Sequence, residues 1–458
     1  LKPVISQHGS DSSSFDNLVE FLVRSGQSIY DSLMMLIPDS YHSNRQISSS
    51  LRDYFIYNEN FMEPWDGPAA IVFTDGDKVG AKMDRNGLRP LRYSITKDGL
   101  VVMASESGVL DIDDRNVVIH HHMKSEEIFG LDVNSGEIMK NDEIKKHESS
   151  KKNFGSLISK NLHKIGRKSP EKEFGIFRYP SDGFDKRLRI AFGLSNEDVK
   201  LFLVPMSESR REPIGSMGDD TPIALVSDID RKFYDYFKQW FAQVTNPPID
   251  SIRERSVMSL QKYLGSEDNL LNAEPHFKGA IRIESPVLSP NEVLALYSSN
   301  NWFPHKVVNC NYNKSTNIEN KINLIRQKCK KAVLSGAKII FLSNEGLGEK
   351  QLPIPMPLIV SAVHHFLVEK KMRSSVSLIV ISGDIIEDHH IAVLISLGAS
   401  AVYPYMAYEI LREYYYKDSS WTEKMSNYRF ALEKGLLKIM AKMGISTISS
   451  YTGSMMMH

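Results

Sequence analysis

The tightest constraint on folding is a series of turn dipeptides, Asp75-Gly76, Asn86-Gly87 and Asp98-Gly99, which recur every 11 or 12 residues. Residues of this kind accept the positive φ that tight connections between antiparallel strands require. They separate the apolar runs "AAIVF", "VGAKM", "LRPLRYSI" and "LVVMAS", each of strand length. The spacing predicts an antiparallel meander, continued by "NVVIHHHM" and "EIFGLDV" with "NSGE" as a further turn.

The pattern differs on either side. Before the turns, Phe15, Leu18, Val19 and Leu22 fall at helical spacing after "GSDSSS", and Gly26 supplies a stop, which predicts an amphipathic helix. A second apolar stretch, "YDSLMMLIP", ends at Pro38. After the turns, from Lys140 to about Glu173, Lys, Ser, Asn and Glu dominate, and we read residues 146–173 as a linker or solvated helical connector. Beyond it, "KIIFLSN", "SLIVISG" and "GASAVYPY" are continuous apolar runs, the form of strands buried on both faces. Helical stretches follow the first two, so this half is expected to be an α/β domain with parallel strands.

Composition narrows the function classes. Lys+Arg and Asp+Glu both number 56, so no bulk charge favours a nucleic acid or an anionic membrane. Two cysteines, Cys310 and Cys329, exclude a disulfide scaffold or a Cys-ligated cluster within this chain, and a reducing compartment is expected. The longest apolar run, "LPIPMPLIVSAVHHFL", is interrupted by prolines and histidines and does not reach a membrane span. The chain begins without Met or a signal sequence and stops in "SYTGSMMMH", and we expect both ends to be cuts through a longer polypeptide.

Four stretches offer chemistry. "MDRNGLRPLRY" places Arg85, Arg89 and Arg92 around a turn stiffened by Pro90; the guanidinium groups either hold a substrate or a partner's acidic segment, or pair with acidic neighbours such as Asp84 and lock the sheet. "GSDSSS" either caps a helix or offers Asp11 as an anchor for a substrate amino group. His120 and His122 share a face of a strand, without a third ligand at useful spacing. "GSMGDDTP" can bring backbone close to a ligand but lacks the lysine of a P-loop.

Together with "EPWDGPAAIVFTDG", "VVMASESGVLDI", "YDYFKQWFAQVTNPPIDSIRE" and "KGLLKIMAKMGISTISSYTG", these stretches make the chain resemble the large chain of glutamate synthase over nearly its whole length. The resemblance implies an α+β N-terminal-nucleophile (αββα-type) part over 1–145, the C-terminal piece of a class II glutamine amidotransferase domain. It further implies a linker over 146–173 and a central domain over 174–458. It implies an enzyme that hydrolyses glutamine and passes ammonia to 2-oxoglutarate for flavin-dependent reduction to glutamate. Electrons come from an NADPH-oxidising small subunit or from ferredoxin. The nucleophilic cysteine, the FMN domain and the iron–sulfur cysteines are expected outside this chain, so the chain alone is expected to be inactive.

By the same resemblance Asp11 holds the α-amino group of glutamine, Met217 reaches the 2-oxoglutarate and flavin site, and the arginines of "DRNGLRP" brace the β layer and nearby acidic segments. A cytoplasmic location is expected, or a plastid if the enzyme is a ferredoxin-dependent one of a plant or alga; neither nucleic acid nor membrane is an expected partner. The chain departs from the family at Asn344 and Glu345, where Asp and Arg are usual, at Ala441 in place of Ser, and at Thr452, where Arg is frequent. Two other readings stay open: a different class II amidotransferase or glutaminase, and a non-catalytic scaffold that binds a flavoprotein.

Overall fold

In the computed structural model, residues 3–6, 8–42, 44, 46–175, 186–213, 222, 224, 226, 231–240, 246–271, 277–415 and 417–458 are described. They form two compact units. The first comprises residues 1–161, 249–259 and 268–277; the second comprises 162–248, 260–267 and 278–458.

The first unit begins with α1 (Asp11–Arg24), α2 (Ile29–Leu36) and α3 (Ser49–Asn58). Strands β1 (Ala70–Thr74), β2 (Lys78–Met83), β3 (Arg92–Thr96), β4 (Val101–Ala104), β5 (Val117–His122), β6 (Ile128–Asp132) and β7 (Ile138–Met139) follow, then α4 (Asn141–Ser150) and α5 (Phe154–Ser159). The strands do not make one meander. They divide into two antiparallel sheets, β1-β2-β6-β7 and β4-β3-β5, and the chain crosses between them at Asp84–Leu91. The cause is strand periodicity: alternate residues of β2 and β6, among them Ala81, Met83 and Phe129, meet Tyr93 and Met123 in a core that a single sheet has no second layer to close. Tyr93 stacks on Phe129 with ring centres 4.2 Å apart. The opposite face of the first sheet receives α2, where Tyr30 meets Phe73 edge-on at 5.9 Å. Gly130 is required there, because a Cβ would lie 2.2 Å from the Tyr30 hydroxyl.

The stretch expected to be a connector is built into both units. It holds the end of α4, all of α5, strand β8 (Leu162–Ile165) and the short helix Pro170–Phe174. Its polar composition belongs to outer faces, while Phe154, Ile158 and Phe174 are buried.

In the second unit β8 joins β9 (Lys262–Leu264) and β10 (Ala280–Ile283) in a mixed sheet ordered β8-β10-β9. A four-stranded parallel sheet follows, from β11 (His305–Asn309), β13 (Ile339–Ser343), β15 (Ser377–Ile381) and β16 (Ala401–Tyr403), in that spatial order. A two-stranded ribbon pairs β12 (Asn311–Asn313) with β14 (Gln351–Pro353). Helices Ile318–Leu334, Met356–Glu369 and Asp388–Ser396 lie between the parallel strands in sequence, as expected of βαβ units. Every residue of β13, β15 and β16 is buried, which is why these strands read as unbroken apolar runs. The long helix Trp421–Met443 ends at Gly444 in the left-handed conformation, φ +72°. Its Arg429 is 1% exposed and contacts Glu173, Glu292 and Glu433 at 3.2, 3.0 and 3.1 Å, tying three helices together.

Candidate functional sites

Asp11 is the first residue of α1, on its exposed face. The cap itself is Ser10, whose Oγ accepts the Ser13 N–H at 3.2 Å. Capping therefore does not require Asp11. The helix is held below by Phe15, Leu18 and Leu22, and Phe15 meets Trp65 edge-on at 5.2 Å.

The arginine-rich crossing is organised by Asp84. Its buried carboxylate accepts the N–H groups of Asn86 at 2.9 Å and Gly87 at 3.1 Å. Burial pushes this carboxyl up, while those backbone donors and Arg85 pull it back. Gly87 has φ +58°, and a Cβ there would lie 2.7 Å from Ser125 Cβ. Arg85 acts on Asp84 through its charge, but among the described residues no salt bridge or hydrogen bond joins Arg85, Arg89 or Arg92 to an acid. Arg92 instead donates to Ser107 Oγ at 2.8 Å, Arg85 is buried with one terminal nitrogen lacking a hydrogen-bond partner, and Arg89 is exposed. The brace comes from Arg253, which donates to Asn86 O at 2.8 Å from far along the chain. Sequence reading had no local signal for that contact.

A charged node in the same unit was also illegible. Lys82 of β2 and Lys145 of α4 reach Asp39 at 3.2 and 2.5 Å, and both donate to Glu126 O at 2.9 and 3.0 Å. Glu126 sits at φ +69°, rare for a residue with a side chain, and its carboxylate accepts the Ser40 N–H at 2.8 Å. Burial lowers the Lys82 ammonium to about 8 against the attraction of Asp39. Because Lys82 is fully buried, the node clamps the end of α2 and α4 onto the sheet. Lys145 and Glu126 also line a cavity of about 700 Å³ with His121 and Glu127. His120 Nδ1 lies 3.0 Å from Ser94 Oγ and His121 Nε2 2.7 Å from Glu127. Among the described residues no group of three His, Cys, Asp or Glu side chains is placed to hold a metal ion.

In the second unit the ends of the parallel strands are joined by side chains. Asn344 Nδ2 donates to Ser382 Oγ at 2.7 Å, and its Oδ1 accepts the Gly383 N–H at 3.1 Å. Ser382 donates to Asp384 at 2.5 Å, as does the Tyr234 hydroxyl at 3.1 Å. An amide at 344 thus both donates and accepts, which an ionised Asp cannot do. Burial raises the Glu345 carboxyl; burial and then Glu345 raise Glu409 to about 7. Of the other departures, Ala441 is buried in the long helix and Thr452 Oγ1 accepts from Lys262 at 2.8 Å.

Met217 lies outside the described residues. Cys310 and Cys329 are buried free thiols; burial pushes both up, Cys329 to about 12. Two such thiols do not fit an iron–sulfur cluster, which ordinarily takes four cysteines. Among the described residues no helix is long and apolar enough to cross a membrane.

Comparison with known proteins adds the missing frame. The model for glutamine amidotransferases class-II matches residues 1–157, and that for the glutamate synthase central domain matches 187–458. The NADPH glutamate synthase large chain of Bacillus subtilis is 37% identical over 460 residues, covering 99% of this chain and 30% of its own length. That of Azospirillum brasilense is 39% identical over 463 residues, and the ferredoxin-dependent glutamate synthase of Antithamnion sp. 38% over 477, each with the same coverage. The chain spans about 30% of the length of these curated relatives. With the central-domain match taking in more than half of its residues, the chain belongs to the glutamate synthase family.

Proposed function

We propose that this chain works as the portion of a glutamate synthase large chain that links glutamine hydrolysis to glutamate formation. The tandem order of the two family matches on one polypeptide carries this reading. The longer protein hydrolyses glutamine, ammonia condenses with the 2-oxo carbon of 2-oxoglutarate, and the imine is reduced to glutamate with electrons from NADPH through a small subunit or from ferredoxin. FMN and an iron–sulfur cluster supply the electron transfer and are held by parts of that protein beyond these residues. Residues 1–145 serve as the amidotransferase part and 174–458 as the central domain. The location is the cytoplasm, or a plastid for a ferredoxin-dependent form.

Asp11 pairs with the α-ammonium of glutamine, a charge-assisted contact that rejects substrates without a free amino group. Its exposed position beside a cap that Ser10 already satisfies supports this reading. Met217 serves as an apolar, adaptable cover at the 2-oxoglutarate and flavin site.

Nucleophilic attack needs an accessible thiolate, and burial holds both thiols of this chain protonated. The purified 458-residue chain is therefore expected to release no ammonia from glutamine above the uncatalysed rate. Release above that rate would overturn the assignment of the nucleophile to another part of the protein.

A further inference from the structure

We propose that the open edge of β11 docks an acidic, extended segment of a partner protein by strand addition. β11 ends the parallel sheet, pairing with β13 from His305↔Ile339 to Asn309↔Ser343. In a parallel ladder the N–H and C=O of one residue point to the same side, and successive residues alternate. Pro304 O accepts from Lys338 and Cys310 N–H donates to Ser343 O, each at 2.7 Å, so the even-numbered residues of this stretch serve β13. The odd-numbered residues face the other way, and the His305 N–H accordingly goes to Asn300 Oδ1 at 3.0 Å. Val307 and Asn309 are left with their backbone groups at the sheet's edge, Val307 at 45% exposure.

A groove of about 570 Å³ follows this edge from Pro304 to Asn309, with helix Ile318–Leu334 along its side. Its charged lining is Lys306, Lys328 and Lys331; among the described residues no acidic side chain lines it. Lysines on an edge discourage pairing with uncharged strands. Backbone groups that call for a strand, beside three ammonium groups, select one that carries carboxylates, with affinity from main-chain hydrogen bonds and choice of partner from charge.

The test measures anisotropy of a fluorescent peptide of alternating Glu and Val titrated with the 458-residue chain, against an alternating Lys and Val control. Expected is saturable binding of the acidic peptide alone, weakened about tenfold by K328E/K331E and by added salt. Val307→Pro removes an outward N–H that β13 does not use, so it should abolish binding with the melting temperature unchanged. Should that variant fail to fold, N-methylation of the peptide at alternate residues asks the same question of the wild-type chain, and must also abolish binding. No binding of the acidic peptide, equal binding of the basic one, or binding indifferent to both Val307→Pro and N-methylation overturns the proposal. Acidic-peptide binding that persists in Val307→Pro and is displaced by heparin would mark the groove as a general polyanion surface and overturn it equally.

Discussion

Asp388→Asn should make the second unit more stable, and increasingly so as pH rises. Asp388 opens helix Asp388–Ser396 at 2% exposure. Its Oδ1 accepts the His389 N–H at 3.1 Å, while Oδ2 has no hydrogen-bond partner among the described residues. Oδ2 presses on the helix Trp421–Met443 at Gly435, where a Cβ would lie only 1.8 Å away. Burial first, and then the charge of Glu387, pushes this carboxyl from 3.8 to about 7. At 1.36 kcal/mol per unit, a gap of about three units gives an upper bound of about 4 kcal/mol for keeping the ionised form folded.

The direction follows from proton binding. Below pH 3.8 the group is protonated folded or unfolded and contributes no difference. Between there and about 7 the unfolded chain ionises while the folded chain holds its proton, so stability falls as pH rises; above about 7 the full cost remains. The amide variant cannot ionise. Urea unfolding followed by circular dichroism should show its advantage growing from pH 4 to pH 8 by about 2–4 kcal/mol. The change with pH is the readout, because the new amide donor shifts the baseline at every pH. Parallel stability profiles for the two proteins would refute the reasoning.

Arg429→Met leaves the buried Glu173 and Glu292 without their cation, while Glu433 keeps Arg167, and urea unfolding should show a loss of about 3–5 kcal/mol; a loss below about 1 kcal/mol would mean that the cluster is hydrated. In the crossing between sheets, Gly87→Ala meets both an unfavourable φ and Ser125, so a drop of about 1–2 kcal/mol is expected. Asp84→Ala should free the same turn and raise amide exchange at Asn86 and Gly87. Unchanged exchange would place the brace in Arg253 alone.

What the sequence made legible was local. Helix α1, the turn positions, and the buried runs of β13, β15 and β16 follow from spacing over a few residues, and each appears near its expected place. What failed required knowledge of the other side of the core. Nothing within "MDRNGLRPLRY" tells that β2 and β3 belong to different sheets, because that is decided by Tyr93 meeting Phe129. The Lys-rich stretch looked solvated because its outer faces are, yet Lys145 is buried against Asp39, a residue that precedes it by 106 positions. The same distance effect hid β8, whose pairing with β10 is parallel and long-range. At the candidate sites, the dipeptide Ser10-Asp11 was visible, but its division of labour was not: capping falls to Ser10, and the pattern alone cannot say which side-chain oxygen turns back to the helix.

The central claim, that these residues link glutamine hydrolysis to glutamate formation, is tested most directly by isotope transfer in the longer protein. Glutamine labelled at its amide nitrogen, with 2-oxoglutarate and a reductant, should deliver label to the α-amino group of newly formed glutamate. Asp11→Ala should cut that transfer by at least about tenfold through loss of a charge-assisted contact, while free ammonium is still incorporated. Undiminished transfer in the variant would return Asp11 to a structural role, and no transfer in the unaltered protein would contradict the account itself.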